Sequence, residues 1–154
     1  GQRVFVKHEV DGKGYELRLS EESAGTQKLM GLAAFLLAAL ERGGTVVVDE
    51  LDAKLHPKLL RYVILLFKDP EVNKSGAQLI FSSQDVSTMR NDVFRRDEIW
   101  FAARGEGEAS QLWSLADIHE SNGNLVSKNA AFDKQYLSGR YGADPYLTRI
   151  EEWD

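Results

Sequence analysis

The stretch Thr45-Val46-Val47-Val48-Asp49-Glu50-Leu51-Asp52-Ala53-Lys54-Leu55-His56-Pro57 decides the fold. Four β-prone residues run into two adjacent carboxylates, and a polar turn leads on to Pro57 and an amphipathic segment. An apolar run without alternation is the pattern of a central parallel strand covered on both faces. Asp49 and Glu50 fall at its carboxyl end, where open α/β sheets place their ligands. A strand that ended at two solvated acids would carry the same letters, so the flanking sequence has to decide.

Upstream, Arg3–Val10 and Tyr15–Leu19 alternate around Asp11-Gly12-Lys13-Gly14, which predicts a hairpin with glycine in the turn. The polar loop Ser20–Thr26 opens a long helix from about Gln27 to Arg42, and Ser23 or Thr26 can cap it. That helix is apolar nearly all round, so it is expected to be buried, and Gly43-Gly44 ends it. Downstream, Pro57 starts a second helix to about Lys68, with Leu59, Leu60, Val63, Ile64 and Phe67 on one face. Asp69-Pro70 stops it. A short strand over Ala77–Ser82 then ends at Ser83-Gln84-Asp85, followed by a short helical piece over Val86–Asn91.

Asp97–Ala102 and Ser110–Ser114 read as a strand pair joined by the turn Arg104–Glu108, with Trp100, Phe101 and Trp113 as hairpin core. Asp117–Lys128 reads as polar and irregular, and the tail Ala130–Leu147 contains a helix. The element order fits a single α/β domain over residues 1–154, built from βα units.

Composition bounds the function. A chain of 154 residues with 43% hydrophobic and 28% charged residues can bury one substantial core. A net charge of −5 argues against unaided nonspecific nucleic-acid binding. The absence of cysteine removes disulfides, thiolate metal sites and cysteine nucleophiles. The apolar run Leu29–Leu40 is too short for a membrane span, and Gln2–Val10 does not resemble a signal peptide, so a cytoplasmic location is expected.

Four sites line up in order: Ser23-Ala24-Gly25-Thr26, Asp49-Glu50, Leu51–Pro57 and Ser82-Ser83-Gln84-Asp85. This order resembles the carboxyl-terminal half of an ABC-type ATPase. It is more similar still to the AAA-family ATPases of bacterial defence and abortive infection, relatives of the SMC and OLD-family ATPases. The resemblance continues through Arg95–Phe101, Ser114–Asp117 and Gly139–Gly142, and so covers nearly the whole chain.

The resemblance implies a partial P-loop NTPase sheet with flanking helices and hairpins, and ATP and Mg²⁺ as ligands. Ser23, Gly25 and Thr26 would stand in the signature motif, which reaches the γ-phosphate held by the opposite subunit of a dimer. Asp49 would be the Mg²⁺-associated Walker B aspartate and Glu50 the catalytic glutamate. His56 stands in the D-loop region, where many relatives carry an aspartate, and either fixes the turn before Pro57 or contacts nucleotide in trans. Gln84 occupies the switch position, normally histidine; glutamine still hydrogen-bonds but cannot titrate. Asp52 is either a supporting acid or a solvated turn residue. Tyr136, Arg140 and Tyr141 either pack on a neighbouring subunit or clasp their own chain.

No G-x-x-x-x-G-K-[S/T] occurs in the sequence, and Gly12-Lys13-Gly14 is no substitute. The expectation is therefore a lobe completed by an amino-terminal Walker A lobe, homodimeric in the full-length protein, that regulates an effector such as a nuclease. A noncatalytic interaction module with the same fold is the alternative. A metal-dependent nuclease using Asp49, Glu50 and Asp52 is a third, and it leaves the signature-like loop unexplained. His8 and His119 read as surface residues, and Arg95-Arg96 as a solvated pair or as a holder of acidic groups.

Overall fold

The computed structural model describes residues 3–104, 109–121 and 123–143. The chain divides into two compact units, with the boundary between Asp85 and Val86. The architecture is mixed α/β, with three two-stranded sheets among the described residues. Among the described residues, no helix is long and apolar enough to cross a membrane.

The first unit opens with the antiparallel hairpin β1 (Phe5–Val10) and β2 (Lys13–Arg18). Its two-residue turn places Asp11 at φ 53° and Gly12 at φ 73°, the left-handed geometry that matches strand twist. Helix α1 spans Ala24–Arg42, starting three residues before the expected Gln27 because Ser23 takes the cap. Strand β3 (Thr45–Val48) pairs in parallel with β4 (Gln78–Phe81), and helix α2 (Pro57–Lys68) connects them. The core of this unit includes Ala39 and Leu40 of α1 and Ala77 before β4, with Val46, Leu66 and Phe67 packed against them.

Two expectations are corrected here. Only Leu36, Ala39 and Leu40 of α1 are buried, whereas Phe35 and Leu37 are 67% and 63% exposed. Strand β3 is not doubly covered: Val48 is buried, but Val47 is 73% exposed, as is its cross-strand partner Ile80 to 56%. The reason is geometric. A two-stranded sheet can shield only one stripe of a helix, and the helices of this unit cover only one face of that sheet.

In the second unit, β5 (Trp100–Arg104) and β6 (Ser110–Ser114) form an antiparallel pair. Helix α3 spans Phe132–Leu137. Ile99, Phe101, Leu115, Val126, Phe132 and Tyr141 make the core. Phe101 and Trp113 are placed as expected, but Trp100 lies on the outer face, 58% exposed, because strand alternation sends it opposite Phe101. The described residues of 117–121 and 123–128 are less irregular than their polarity suggests. His119 bridges to Leu125, Val126 is buried, and the Arg96 guanidinium donates to the Val126 carbonyl.

The tail clasps its own unit. Phe101 stacks on Tyr136 at 5.7 Å and contacts Tyr141 at 5.3 Å, and the Trp113 indole donates to the Tyr141 carbonyl. Burial pushes the Tyr141 phenol up to about 12, with the Glu120 and Asp133 charges adding to the shift. Arg95 pairs with Asp97 and Glu98 of its own turn. The expected turn over residues 105–108 and the last expected tail residues, 144–147, lie outside the described residues.

Candidate functional site

The acids sit where the parallel ladder runs out. Beyond the strands, the Ser82 amide donates to the Val48 carbonyl (3.1 Å) and the Leu51 amide to the Ser82 carbonyl (3.0 Å). This continuation holds the ends of β3 and β4 together, and it brings Ser82 to Asp49 and Glu50. The Ser82 hydroxyl donates to Asp49 Oδ1 at 2.5 Å and accepts from the Glu50 amide at 2.7 Å. The Gln84 side-chain amide donates to Glu50 Oε1 at 3.1 Å, and its backbone amide to Asp52 Oδ2 at 3.3 Å. Asp49, Glu50 and Gln84, separated in sequence, thus meet in one exposed cluster.

The turn after the acids is anchored from below and closed by its own backbone. Leu51 and Leu55 are buried, the Ala53 amide donates to the Glu50 carbonyl, and the Leu55 amide to the Asp52 carbonyl. Glu50 and Lys54 adopt positive φ, 49° and 66°. Asp52 Oδ1 is buried and takes no hydrogen bond from any described residue. Asp52 is therefore not a freely solvated turn residue: its Oδ2 receives the Gln84 backbone amide and so fixes where that side chain starts.

Ser23, Gly25 and Thr26 form the start of α1. The Ser23 hydroxyl accepts from the Thr26 amide at 3.1 Å and lies 2.8 Å from the Thr26 hydroxyl, so Ser23 is the cap. Gly25 is packed against the acid-bearing turn: a β-carbon there would lie 2.6 Å from the Lys54 carbonyl oxygen. Lys28, in the second turn of α1, donates to the carbonyls of Glu50 (2.5 Å) and Ala53 (3.0 Å). A shallow groove lined by Ala24, Gln27, Lys28, Ala53 and Lys54 runs along this contact.

His56 caps α2, its Nδ1 accepting from the Lys58 amide at 3.2 Å, with Pro57 at the first helical position. Sequence reasoning missed two of the residues that meet here. Ser82 lies within a quoted motif without a role of its own, and Lys28 is an unremarked residue of the expected helix from about Gln27 to Arg42. His8, read as a surface residue, meets Glu22 Oε1 at 2.5 Å, and the Glu22 side chain is nearly buried beside the Ser23 cap.

The donor set fits Mg²⁺. Asp49 and Glu50 offer hard carboxylate oxygens, and no cluster of three or more acidic, histidine or cysteine ligands occurs among the described residues. Mg²⁺ characteristically takes one or two carboxylates and completes its shell with water and phosphate.

No curated protein matches the chain. Residues 2–90 match the family described as "AAA domain, putative AbiEii toxin, Type IV TA system". The matched segment contains every candidate site residue and is more than half of the chain, which therefore belongs to this AAA-domain family, whose fold points to nucleotide-binding, ATPase-like function.

Proposed function

We propose that this chain is the acid-bearing lobe of an ATP-hydrolysing domain of the ABC/SMC-like, OLD-related type, completed by a separate stretch of polypeptide that carries the P-loop. The single observation that carries the reading is the cluster at the end of β3, where Ser82 bridges Asp49 and Glu50 and Gln84 reaches the Glu50 carboxylate. Two further features support it. The uncovered sheet face at Val47 and Ile80 and the exposed Phe35 and Leu37 are surfaces that an additional lobe would bury.

In this reading Glu50 takes the proton of a water that attacks the γ-phosphorus of ATP, while the bond to the ADP oxygen breaks, releasing ADP and phosphate. Asp49 would hold Mg²⁺, which when bound neutralises phosphate charge. Gln84 would hand its amide from Glu50 to the γ-phosphate. Ser23, Gly25 and Thr26 are exposed or half-buried at a helix start, where amide groups and the dipole favour an anion. They would face the nucleotide of the opposite subunit in a homodimer, where His56 would contact it in trans. Opening and closing of that dimer would regulate an effector, a nuclease in a phage-defence setting, by family analogy.

Reconstitution with the P-loop segment tests the proposal. Glu50→Gln is expected to abolish turnover and to preserve ATP-dependent dimerisation. Undiminished turnover in that variant would remove Glu50 as the base. An assembly that binds partner protein but never hydrolyses ATP would favour the noncatalytic interaction module.

A further inference from the structure

Glu50 is one of three described non-glycine residues at positive φ, and its conformation is not one a glutamate chooses for itself. Such a residue persists only when its surroundings over-determine it. Here both backbone polar groups of Glu50 are held by side chains from other elements. Its amide donates to the Ser82 hydroxyl, at the end of β4, at 2.7 Å. Its carbonyl accepts from the Lys28 ammonium, on α1, at 2.5 Å, in addition to the Ala53 amide at 3.0 Å. The Ser82 proton goes to Asp49, which turns a hydroxyl lone pair toward the Glu50 amide. The Lys28 ammonium spends a second proton on the Ala53 carbonyl and so spans the turn.

We infer that Lys28 and Ser82 are positioning residues, a two-sided clamp that holds the Glu50 backbone in its left-handed conformation and thereby aims its carboxylate. The clamp also ties α1, capped by Ser23, to the second of the two acids after β3. Neither residue touches the reacting atoms; each acts through Glu50. The inference rests on Glu50 being the base, and its test is arranged to separate the two.

The first arm uses the 154-residue chain and amide hydrogen exchange read by NMR. Ser82→Ala is expected to speed exchange at the Glu50 amide by about tenfold, with the β1–β2 hairpin amides unchanged as the internal control for folding. Lys28→Met should speed exchange at Glu50 and Ala53 by about threefold or more, and Lys28→Arg, which can donate to the same carbonyls, should restore protection. Unchanged exchange in Ser82→Ala and Lys28→Met overturns the clamp.

The second arm uses the assembly completed with the P-loop segment. Lys28→Met and Ser82→Ala should each lower kcat by about tenfold or more, with KM for ATP within about threefold, and Lys28→Arg should recover kcat. If Glu50→Gln is inactive while both clamp variants keep kcat, the positioning role is overturned. If Glu50→Gln turns over normally, the base assignment fails and takes the aiming role with it, while the exchange data still decide the clamp.

Discussion

A β-carbon at position 25 has nowhere to go, because the Lys54 carbonyl oxygen would lie 2.6 Å from it. The chain itself thus requires glycine at this position, whatever the segment binds. Gly25→Ala should therefore destabilise the isolated chain by about 1–3 kcal/mol, as overpacking against backbone does, measured by urea denaturation without nucleotide. Lys54 itself sits at φ 66°. A left-handed residue costs about 1–2 kcal/mol, and glycine's extra chain entropy returns only about 0.5–1 of that. Lys54→Gly should thus stabilise the chain by about 0.5–1 kcal/mol, read as a raised Tm. That the segment Ser82–Asp85 lies beside Asp49 and Glu50 in space was legible from the order of the strands. Lys28 and the His8–Glu22 contact were not, because each depends on how α1 or the hairpin packs on residues far away in sequence.

At the scale of elements, caps and strand ends account for most of the legible fold. Ser23, Pro57 and Gly43 announce where α1 and α2 begin and end, and the structure agrees to within a few residues. His56 shows how a motif position can hold a structural job, since its ring accepts from the Lys58 amide. His56→Ala should cost about 1 kcal/mol, whereas His56→Asn, a good capping residue, should stay within about 0.5 kcal/mol of the parent, both by urea titration. Any effect of His56→Asn on nucleotide affinity would then be separable from folding. The apolar run of β3 predicts cover on both faces, and the letters cannot say otherwise: whether a second layer is present is not written in a strand. Val48→Thr places a hydroxyl in a buried position and should cost about 1–3 kcal/mol, while Val47→Thr should change stability by less than about 0.5 kcal/mol. Equal costs at the two positions would mean that both faces are covered in solution.

For the molecule as a whole, the division between Asp85 and Val86 gives each unit its own means of stabilisation. The second relies on aromatic packing around Phe101 and on a buried phenol. The Tyr141 pKa stands at about 12 against 10.0 ordinarily, so the folded unit holds the proton more tightly than the unfolded chain does. Its contribution to stability is complete below pH 10, and it declines as pH rises toward about 12, where the unfolded chain has already released the proton. Tyr141→Phe should lose the hydrogen bond to Gln135, about 1 kcal/mol at neutral pH, and should flatten that alkaline decline in denaturation curves. That the tail clasps its own unit was left open by the sequence, because Gly139–Gly142 offers no periodicity to follow.

The Ser82–Asp49 contact also says something about time. The Asp11-Gly12 hairpin closes over two residues, a microsecond event, but Ser82 and Asp49 are 33 residues apart, and helix α2 lies between them. The ordering cost of so long a closure is met only when β3 and β4 pair. The acidic cluster therefore forms with the parallel pairing and disappears with it, so any local opening at the end of β4 disperses Asp49, Glu50 and Gln84 while leaving the hairpin intact.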